Sequence, residues 1–225
     1  MKILVIDVGG QNIKLLASGQ RKPVKIPSGP RLTPHAMVRK VKDATAGWSF
    51  DAISIGYPGR VIRGRITVDP WNLGRGWIGF NFGRAFSKPV RIINDAAMQA
   101  LGSYRGRNML FLGLGTGLGS CMIREGTLIP MELGHLPYRD KTYEDYVGEA
   151  GMLRLGKPVW RRHVAKVLAL FFAAFEIDYV VLGGGNARRL KQLPPRTRLG
   201  SNANAFAGGF ALWARSRNVE AIRDL

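Results

Sequence analysis

The sequence is poor in cysteine and in long hydrophobic runs, and each absence excludes a class of protein. Its one cysteine, Cys121, lies in an apolar segment, so neither a disulfide framework nor a cysteine-rich zinc site can be built from this chain. The apolar run near the start, ILVIDV, is interrupted by Asp7 and lacks a cleavage-site pattern. No run reaches the length of a membrane span. We therefore expect a cytoplasmic protein with no membrane partner.

Acidic residues are also scarce, which makes the charge balance unusual. The 225 residues include 34 lysines and arginines against 15 aspartates and glutamates, which gives a net charge of +19. The arginines are spread from Arg21 to Arg223, and the basic residues do not form one tail. A binder of polyphosphate or nucleic acid would have this surplus, and so would a protein from an organism whose proteins are basic throughout. The charge indicates an anionic ligand without identifying it.

Glycine is abundant, and three of its clusters follow apolar segments that are typical of strands. The clusters are DVGGQN at 7–12, GLGTGLG at 113–119 and LGGGN at 182–186. A turn without Cβ atoms exposes several backbone N–H groups, so phosphate oxygens can approach them closely. A hairpin turn is the simpler interpretation of one such cluster, but three at strand ends favour phosphate binding. The P-loop and Rossmann patterns are absent, because the second cluster continues into the strand SCMI.

The order of elements indicates two lobes of related plan. Strand, glycine turn and strand follow one another in ILVIDVGGQNIKLLAS and again in NMLFLGLGTGLGSCMIREGTLI. The strand PVRIIND leads into the helix AAMQALGSYRG. Asp95 is placed to cap the N-terminus of this helix. The lobes are expected to divide near Ala96, into residues 1–95 and 96–225, with the final helix packing back on the first lobe. Other expected elements are strands at 24–26 and in FDAISIGYPG and DYVVLGGGN, helices at 34–41, 142–155, 159–176 and about 206–225, and an irregular loop at 71–83. This loop holds Trp71, Asn72 and Trp77, and it either closes over a ligand or, as we expect, fills a core.

Five motifs resemble, in order and spacing, those of the ROK sugar kinases. They are Asp7-Val-Gly-Gly-Gln-Asn-Ile-Lys14, Ile93-Asn-Asp-Ala96, Leu114-Gly-Thr-Gly-Leu-Gly-Ser120, Glu132-Leu-Gly-His135 and Leu182-Gly-Gly-Gly-Asn186. The resemblance runs through nearly the whole chain, and within the family it is greatest to the group of polyphosphate glucokinases. It implies an α/β, two-lobed, actin-like or hexokinase-type ATPase fold, which is ribonuclease H-like, with the active site in the cleft between the lobes.

The resemblance implies phosphoryl transfer from polyphosphate, ATP or both to the 6-hydroxyl of glucose or a related hexose. Asp95 resembles the catalytic base that takes the hydroxyl proton, and Asp7 resembles the residue that helps to hold Mg²⁺ through water. Viewed alone, these two residues could be an N-cap and a turn-forming aspartate. The phosphate contacts that the resemblance implies come from Asp7, Gly9, Gly10, Gln11, Asn12, Lys14, Gly115, Thr116 and Gly117. The implied nucleotide contacts come from Gly183, Gly184, Gly185 and Asn186.

The same resemblance implies a set of sugar-binding residues. Carboxylates, amides and imidazoles suit this role, because they exchange hydrogen bonds with pairs of ring hydroxyls. The set is Gly59, Asn94, Asp95, Glu132, His135 and Glu144. The segment around Glu144 is only loosely similar to the family, and Asp145 and Glu149 are alternatives for it. His135 could instead be structural, and no structural zinc is predicted beside it, because the cysteines of the zinc site in many ROK proteins are missing here.

One departure and two rival functions qualify this interpretation. Gln11 and Asn12 stand where the family often has a small hydroxyl residue, so an amide would replace a hydroxyl donor to phosphate. We do not expect a non-catalytic sugar sensor. The sugar-responsive repressors of the family carry a DNA-binding domain ahead of the first motif, whereas here Asp7 lies almost at the first residue. An inactive sensor would also be expected to lose Asp95, which is retained. A nucleic-acid binder is supported by charge alone. The phosphoryl donor stays open between polyphosphate and ATP, and the hexose stays open between glucose, mannose and an amino sugar. The resemblance makes a homodimer the default oligomeric state.

Overall fold

Strands and helices alternate in both halves of the computed structural model, which describes residues 1–214. The final helix, predicted at about 206–225, ends at Ala211 within this range, and residues 215–225 lie outside the described residues. The strands are β1 (Ile3–Val8), β2 (Asn12–Ala17), β3 (Val24–Pro27), β4 (Ala52–Tyr57), β5 (Val61–Ile62), β6 (Arg65–Ile66), β7 (Val90–Asn94), β8 (Met109–Leu114), β9 (Leu118–Arg124), β10 (Thr127–Met131), β11 (Pro137–Tyr138), β12 (Lys141–Thr142), β13 (Tyr179–Gly183) and β14 (Thr197–Leu199). The helices are α1 (Pro34–Ala44), α2 (Phe82–Phe86), α3 (Asp95–Ser103), α4 (Tyr143–Val147), α5 (Glu149–Ala174) and α6 (Asn204–Ala211), with 3-10 turns at Leu133–His135 and Ala187–Arg189.

Two five-stranded sheets with the same strand order form the frame of the protein. The first has the order β3-β2-β1-β4-β7, and the second has the order β10-β9-β8-β13-β14. In each sheet an antiparallel meander of three strands is continued by two parallel strands. The predicted repeat of strand, glycine turn and strand is therefore confirmed. Because carboxyl ends of parallel strands meet at one edge, the loops that follow β1, β4 and β7 lie side by side.

Alternation along the strands sends side chains into three apolar layers. The middle layer joins the inner faces of both sheets, through Val5 and Phe111, to α3 and α6. The outer face of the first sheet is covered by α1, α2 and the segment around the buried Trp77. The outer face of the second is covered by α5, whose buried apolar residues pack against Leu112 and Val180. The two lobes thus share a core, and α3 lies between their sheets.

Helices α3 and α6 touch through glycines. A Cβ on Gly102 would overlap with the carbonyl oxygen of Asn204, and a Cβ on Gly208 would overlap with that of Met98. Side chains at these two positions would force the helices apart, because carbonyl groups of a helix cannot move as side-chain ends do. The glycines therefore set the separation of the two helices and, through them, that of the two sheets.

The end of the described chain returns to the first sheet. Ser54 Oγ of β4 donates to the carbonyl oxygen of Gly209 at 2.6 Å. Trp213 Nε1 in turn donates to Ser54 Oγ at 2.9 Å, and the indole ring of Trp213 lies 4.3 Å from the guanidinium of Arg91. Helix α6 thus contacts β1 and β4, although it follows the last strand of the second sheet.

Three local expectations need correction. The helix expected at 142–155 is two helices, since α4 ends at Gly148 and α5 begins directly after it. Helix α5 kinks at Gly156, whose φ of 74° lies in the left-handed region, and then continues through the helix predicted at 159–176. The loop at 71–83 runs into α2. Its Trp77 is buried as expected, but Trp71 is 96% exposed and fills no core.

No helix in the described part of the chain combines the length and the apolar composition that crossing a membrane would require.

Candidate active site

Asn94 and Asp95 occupy the junction where β7 ends and α3 begins. The cap of α3 is Asn94, whose Oδ1 accepts hydrogen bonds from the backbone N–H groups of Ala96 at 2.9 Å and Ala97 at 3.1 Å. The expectation that Asp95 is the cap is therefore wrong. Asn94 still has the extended backbone of a cap residue, whereas Asp95 is already helical. Asp95 keeps one hydrogen bond, from Ala96 N–H to its Oδ1 at 2.8 Å.

The carboxyl of Asp95 has a high proton affinity. Burial raises its pKa to about 7, and the negative charges of Asp7 and Glu132 raise it as well, against the opposing effect of the Ala96 N–H. Three predicted site residues from three separate motifs therefore lie close enough to act on one another. A carboxylate that titrates near neutrality is suited to accept a proton under physiological conditions.

Asp7 is fixed by an ion pair across the first hairpin. It lies opposite Lys14 in the register of β1 and β2, and Lys14 Nζ donates to Asp7 Oδ2 at 2.8 Å. Asp7 is buried, whereas Lys14 is partly exposed. The pair places one anion and one cation beside the end of the hairpin, where the phosphate contacts are predicted.

The turn of the first hairpin leaves backbone donors unused. Gly9 N–H donates to the carbonyl oxygen of Asn12 at 3.0 Å, and the carbonyl of Gly9 accepts from Ser28 Oγ at 2.6 Å. Within residues 1–214, the N–H groups of Gly10 and Gln11 donate to no protein group.

The turn of the second hairpin repeats this arrangement. Gly115 N–H donates to the carbonyl oxygens of Gly113 at 3.1 Å and Gly117 at 3.2 Å. The N–H groups of Thr116 and Gly117 have no acceptor in the described part of the chain. The carbonyls of Gly115 and Thr116 accept from Glu149 N–H at 3.0 and 3.2 Å, which ties the turn to the start of α5. Each hairpin therefore presents two adjacent free amides, as an anion site requires.

The third glycine cluster lies directly against the second. Gly183 is the register partner of Gly113, and the buried Asn186 donates from its backbone N–H to Leu114 O at 3.0 Å. The Asn186 side chain also donates from Nδ2 to Gly115 O at 3.3 Å. Gly184 has a φ of 79°, and a Cβ there would overlap with Leu114 O. The predicted nucleotide loop and the second phosphate turn thus form one continuous surface, on which Gly185 has open space.

Glu144 links the second phosphate turn to the predicted sugar residues. Its Oε1 lies 3.8 Å from His135 Nε2, and its Oε2 accepts from Leu118 N–H at 3.5 Å. A Cβ on Gly117 would overlap with the same Oε2. The missing side chain at Gly117 therefore leaves space for the carboxylate of Glu144, in addition to letting an anion approach the backbone.

The two alternatives to Glu144 have structural tasks. Asp145 forms a capping box with Thr142, in which Oδ2 accepts from Thr142 Oγ1 at 2.6 Å and from its backbone N–H at 3.1 Å. Glu149 is the exposed first residue of α5. Of the three acidic residues in this segment, Glu144 is the one that the fold brings to His135.

Asn94 joins the loop that contains Gly59 to the start of α3. Its Nδ2 donates to the carbonyl oxygen of Gly59 at 3.1 Å, while Oδ1 caps α3 as described. In the part of the chain that the structure describes, the second N–H of this amide has no acceptor. Gly59 is held in turn by its N–H, which donates to Tyr57 O at 2.9 Å.

Sequence reasoning placed Asn72 in the loop that either closes over a ligand or fills a core, but it did not predict a contact between Asn72 and the first glycine turn. Asn72 lies against the first phosphate turn, where a Cβ on Gly10 would overlap with Asn72 Nδ2. The irregular loop around it has no helical or strand period, so nothing in the local sequence signalled the contact. The neighbouring pair of glycines at Gly9 and Gly10, which requires some close approach, was the one available hint.

Two like lobes that carry paired glycine hairpins and a carboxylate at their junction are typical of hexokinase-type phosphotransferases, and the comparisons agree. A polyphosphate glucokinase of Mycobacterium tuberculosis is 30% identical over 212 residues, covering 84% of this chain and 80% of that protein. An inorganic polyphosphate/ATP-glucomannokinase from Arthrobacter sp. strain KM has a TM-score of 0.74 at 24% identity, covering 92% and 96% of the two chains. A ROK family glucokinase from Streptomyces griseus, solved with glucose and AMPPNP, has a TM-score of 0.72 at 17% identity, covering 94% and 99%.

No protein-family model matches the chain. The fold is nevertheless that of the ROK sugar kinases, which are α/β phosphotransferases of the two-lobed hexokinase type. Within that class, the chain belongs to the polyphosphate glucokinase family. The family resemblance and the fold class inferred from the five motifs are thereby confirmed.

Proposed function

We propose that the protein is a kinase that transfers a phosphoryl group from polyphosphate, ATP or both to the 6-hydroxyl of glucose or a related hexose, with Asp95 as general base. The observation that supports this most directly is the carboxyl of Asp95, whose pKa of about 7 is set by burial and by Asp7 and Glu132. The family of the chain supports the same reaction. Cytoplasmic location and a homodimeric state stay predictions.

In the proposed reaction the hexose lies against Asp95 with its 6-hydroxyl as the attacking group. Glu132, His135 and Glu144 supply acceptors and a donor for ring hydroxyls, and the second amide N–H of Asn94 supplies another donor. As the hydroxyl oxygen bonds to phosphorus, its proton passes to the Asp95 carboxylate and the bond from phosphorus to the leaving oxygen breaks. Proton transfer of this kind contributes roughly 100- to 10,000-fold to a rate.

The transferred phosphoryl group and its leaving chain would lie between the two hairpins. The free amides of Gly10, Gln11, Thr116 and Gly117 can donate to phosphate oxygens, and Lys14 adds a positive charge. Such donors stabilise the charge that spreads over the oxygens during transfer, because they are held in place before the reaction.

Kinases of this class generally use a divalent metal ion, and Mg²⁺ fits the residues present. Mg²⁺ keeps several waters and takes one or two carboxylates together with phosphate oxygens. Asp7 offers such a carboxylate, since Lys14 engages Oδ2 alone. No cluster of three or more His, Cys, Asp or Glu side chains in residues 1–214 could enclose a metal by itself. When bound, Mg²⁺ would neutralise charge on the phosphates, and Asp7 would hold its water shell.

The choice of donor is tested by glucose phosphorylation with purified long-chain polyphosphate in the absence of nucleotide. A parallel reaction uses ATP with the same enzyme. We expect turnover with polyphosphate, and activity with ATP alone would reject polyphosphate as a donor. Absence of turnover with both donors on glucose, mannose and glucosamine would contradict the proposed kinase activity.

A further inference from the structure

A group of three arginines lies away from Asp95, near the opposite end of α3. A pocket of about 380 Å³ is lined by Arg105, Tyr179, Arg196, Thr197 and Arg198. An adjoining pocket of about 250 Å³ shares Arg105 and Arg198. The last residue of α3, Ser103, lines the second pocket, and eight helical steps of 1.5 Å place its Cα about 12 Å from that of Asp95.

The arginines of this region, which we call the arginine pocket, are held in place by neutral groups. The guanidinium of Arg198 lies over the ring of Tyr179 at 4.7 Å and donates from Nη2 to Ser103 O at 2.8 Å. Arg105 donates from Nη1 to Tyr104 O at 2.6 Å and to Gly102 O at 3.2 Å. Each contact uses part of the guanidinium fork and leaves other N–H groups for a ligand.

The third arginine is fixed in the same manner. The guanidinium of Arg196 lies 4.2 Å from the ring centroid of Phe172 and donates from Nη1 to Ile177 O at 3.4 Å. Among residues 1–214, no carboxylate oxygen lies within 4.0 Å of the guanidinium groups of Arg105, Arg196 or Arg198. Three positive charges therefore converge on two adjoining pockets with no counter-charge from the described chain.

This arrangement suits an oxyanion with several charges. A guanidinium presents paired donors that match phosphate oxygens, and little entropy is lost on binding when the side chain is already held. The carbonyl oxygens that position the arginines carry no full charge, so the electrostatic repulsion among the three cations is relieved by an anionic ligand. Two adjoining pockets that share two arginines can accept consecutive groups of one chain.

We propose that the arginine pocket binds a stretch of polyphosphate chain away from the end that reacts at Asp95. This inference rests on the proposed function in so far as polyphosphate is a substrate. Single-stranded RNA carries a repeating phosphate too, but it is bound with its bases stacked on open aromatic rings. Here Arg198 lies over Tyr179 and Arg196 over Phe172, which favours the inorganic chain over RNA.

A chain bound at both places gains affinity from the linkage between them. Once the reacting end is bound, the rest of the same chain reaches the arginine pocket at a high effective concentration. Affinity for the chain should therefore rise with its length until it spans both places. The KM for tripolyphosphate and the KM for ATP should not depend on the arginine pocket, because these donors are too short to reach it from Asp95.

The test compares the double variant Arg105→Gln/Arg198→Gln with the matched control Arg39→Gln/Arg84→Gln. The control removes the same charge from exposed arginines of α1 and α2. Binding of long-chain polyphosphate and of tripolyphosphate is measured by titration calorimetry at several salt concentrations, and KM is measured for each and for ATP. Thermal unfolding verifies that the variants fold, and Arg198→Gln alone replaces the double variant if that one does not.

We expect the test variant to raise Kd and KM for the long chain roughly five- to tenfold and to lower the slope of log K against log salt by about 1.4, as for two lost phosphate contacts. In the test variant the KM for tripolyphosphate and the KM for ATP should change less than about twofold, and so should every constant in the control variant. An equal loss in both double variants would overturn the inference, and so would tighter, arginine-dependent binding of single-stranded RNA.

The outcome for the donor is separable from this one. If the wild-type protein binds the long chain through these arginines but does not transfer phosphate from it, the donor proposal fails and the arginine pocket stands. If the enzyme uses long-chain polyphosphate and the test variant leaves Kd, KM and salt slope at wild-type values, the arginine pocket is refuted and the donor proposal stands.

Discussion

The two sheets have the same strand order but carry different residues at equivalent positions. In the first hairpin the register pairs Asp7 with Lys14, and in the second the corresponding pair is Gly113 with Gly119. Both hairpins offer two free amides at their turns, but only the first hairpin has charged side chains at this pair of positions. The shared architecture therefore provides free backbone amides in duplicate, whereas the charged side chains of the pair Asp7 and Lys14 occur in one copy.

The helices that follow the last strand of each sheet differ in the same way. Helix α3 begins at Asp95 with the side chain of Asn94 as its cap, whereas α6 follows Ala203 and has no side-chain cap. The absence of a Cβ on Gly119 lets the start of α3 come close, since a Cβ there would lie 3.0 Å from that of Ala96. The proposed base, Asp95, thus belongs to the first repeat, while the second repeat provides the space beside it.

We expect the largest effect from removing the charge of Asp95, the residue at which α3 begins. Asp95→Asn keeps the size of the side chain but cannot accept a proton, so kcat should fall roughly 1,000-fold while hexose affinity stays close to wild type. Stopped-flow or coupled assays give kcat, and calorimetry gives the Kd for glucose. Asp43→Asn, on the exposed face of α1, is the matched control. Near-normal kcat in Asp95→Asn would exclude Asp95 as the base.

The contact between the two repeats is tested next. Gly102→Ala places a methyl group on the backbone of α6, and overpacking of this kind costs about 1–3 kcal/mol. We expect Tm to fall by roughly 3–10 °C, as measured by calorimetric unfolding. Gly185→Ala, where the added Cβ meets open space, should leave Tm near the wild-type value. Equal melting temperatures for both variants would show that the glycine contact does not set the helix separation.

We expect a smaller effect, on the KM for hexose, from substituting one of two glycines in the second hairpin. Gly117→Ala displaces the carboxylate of Glu144 and should raise the KM for hexose roughly tenfold. Gly115→Ala adds its Cβ to open space and should change that KM much less. If the two substitutions raise the hexose KM equally, the contact between Glu144 and the turn has no role in sugar binding.

Sequence reasoning located the strands, the glycine turns and the acidic residues, because each depends on local pattern or on a family motif. It misplaced the cap of α3, since Asn94 and Asp95 are both good caps and the backbone conformation decides between them. It did not predict the contact of Asn72 with the first glycine turn, nor the arginine pocket, because the residues concerned come from separate elements and meet only in the folded chain. Tertiary packing also decided that Trp71 is exposed while Trp77 is buried.

The most direct test of the central claim is the pH dependence of kcat/KM for the hexose in the wild type and in Asp7→Asn. Protonated Asp95 cannot accept the hydroxyl proton, so the wild-type value should fall as pH drops through an apparent pKa of about 7. Because the negative charge of Asp7 raises the pKa of Asp95, the Asp7→Asn profile should fall at lower pH, with a reduced plateau. A wild-type profile that is flat between about pH 5.5 and 8.5, or an acid limb that does not move in Asp7→Asn, would contradict the assignment of Asp95 as a base controlled by Asp7.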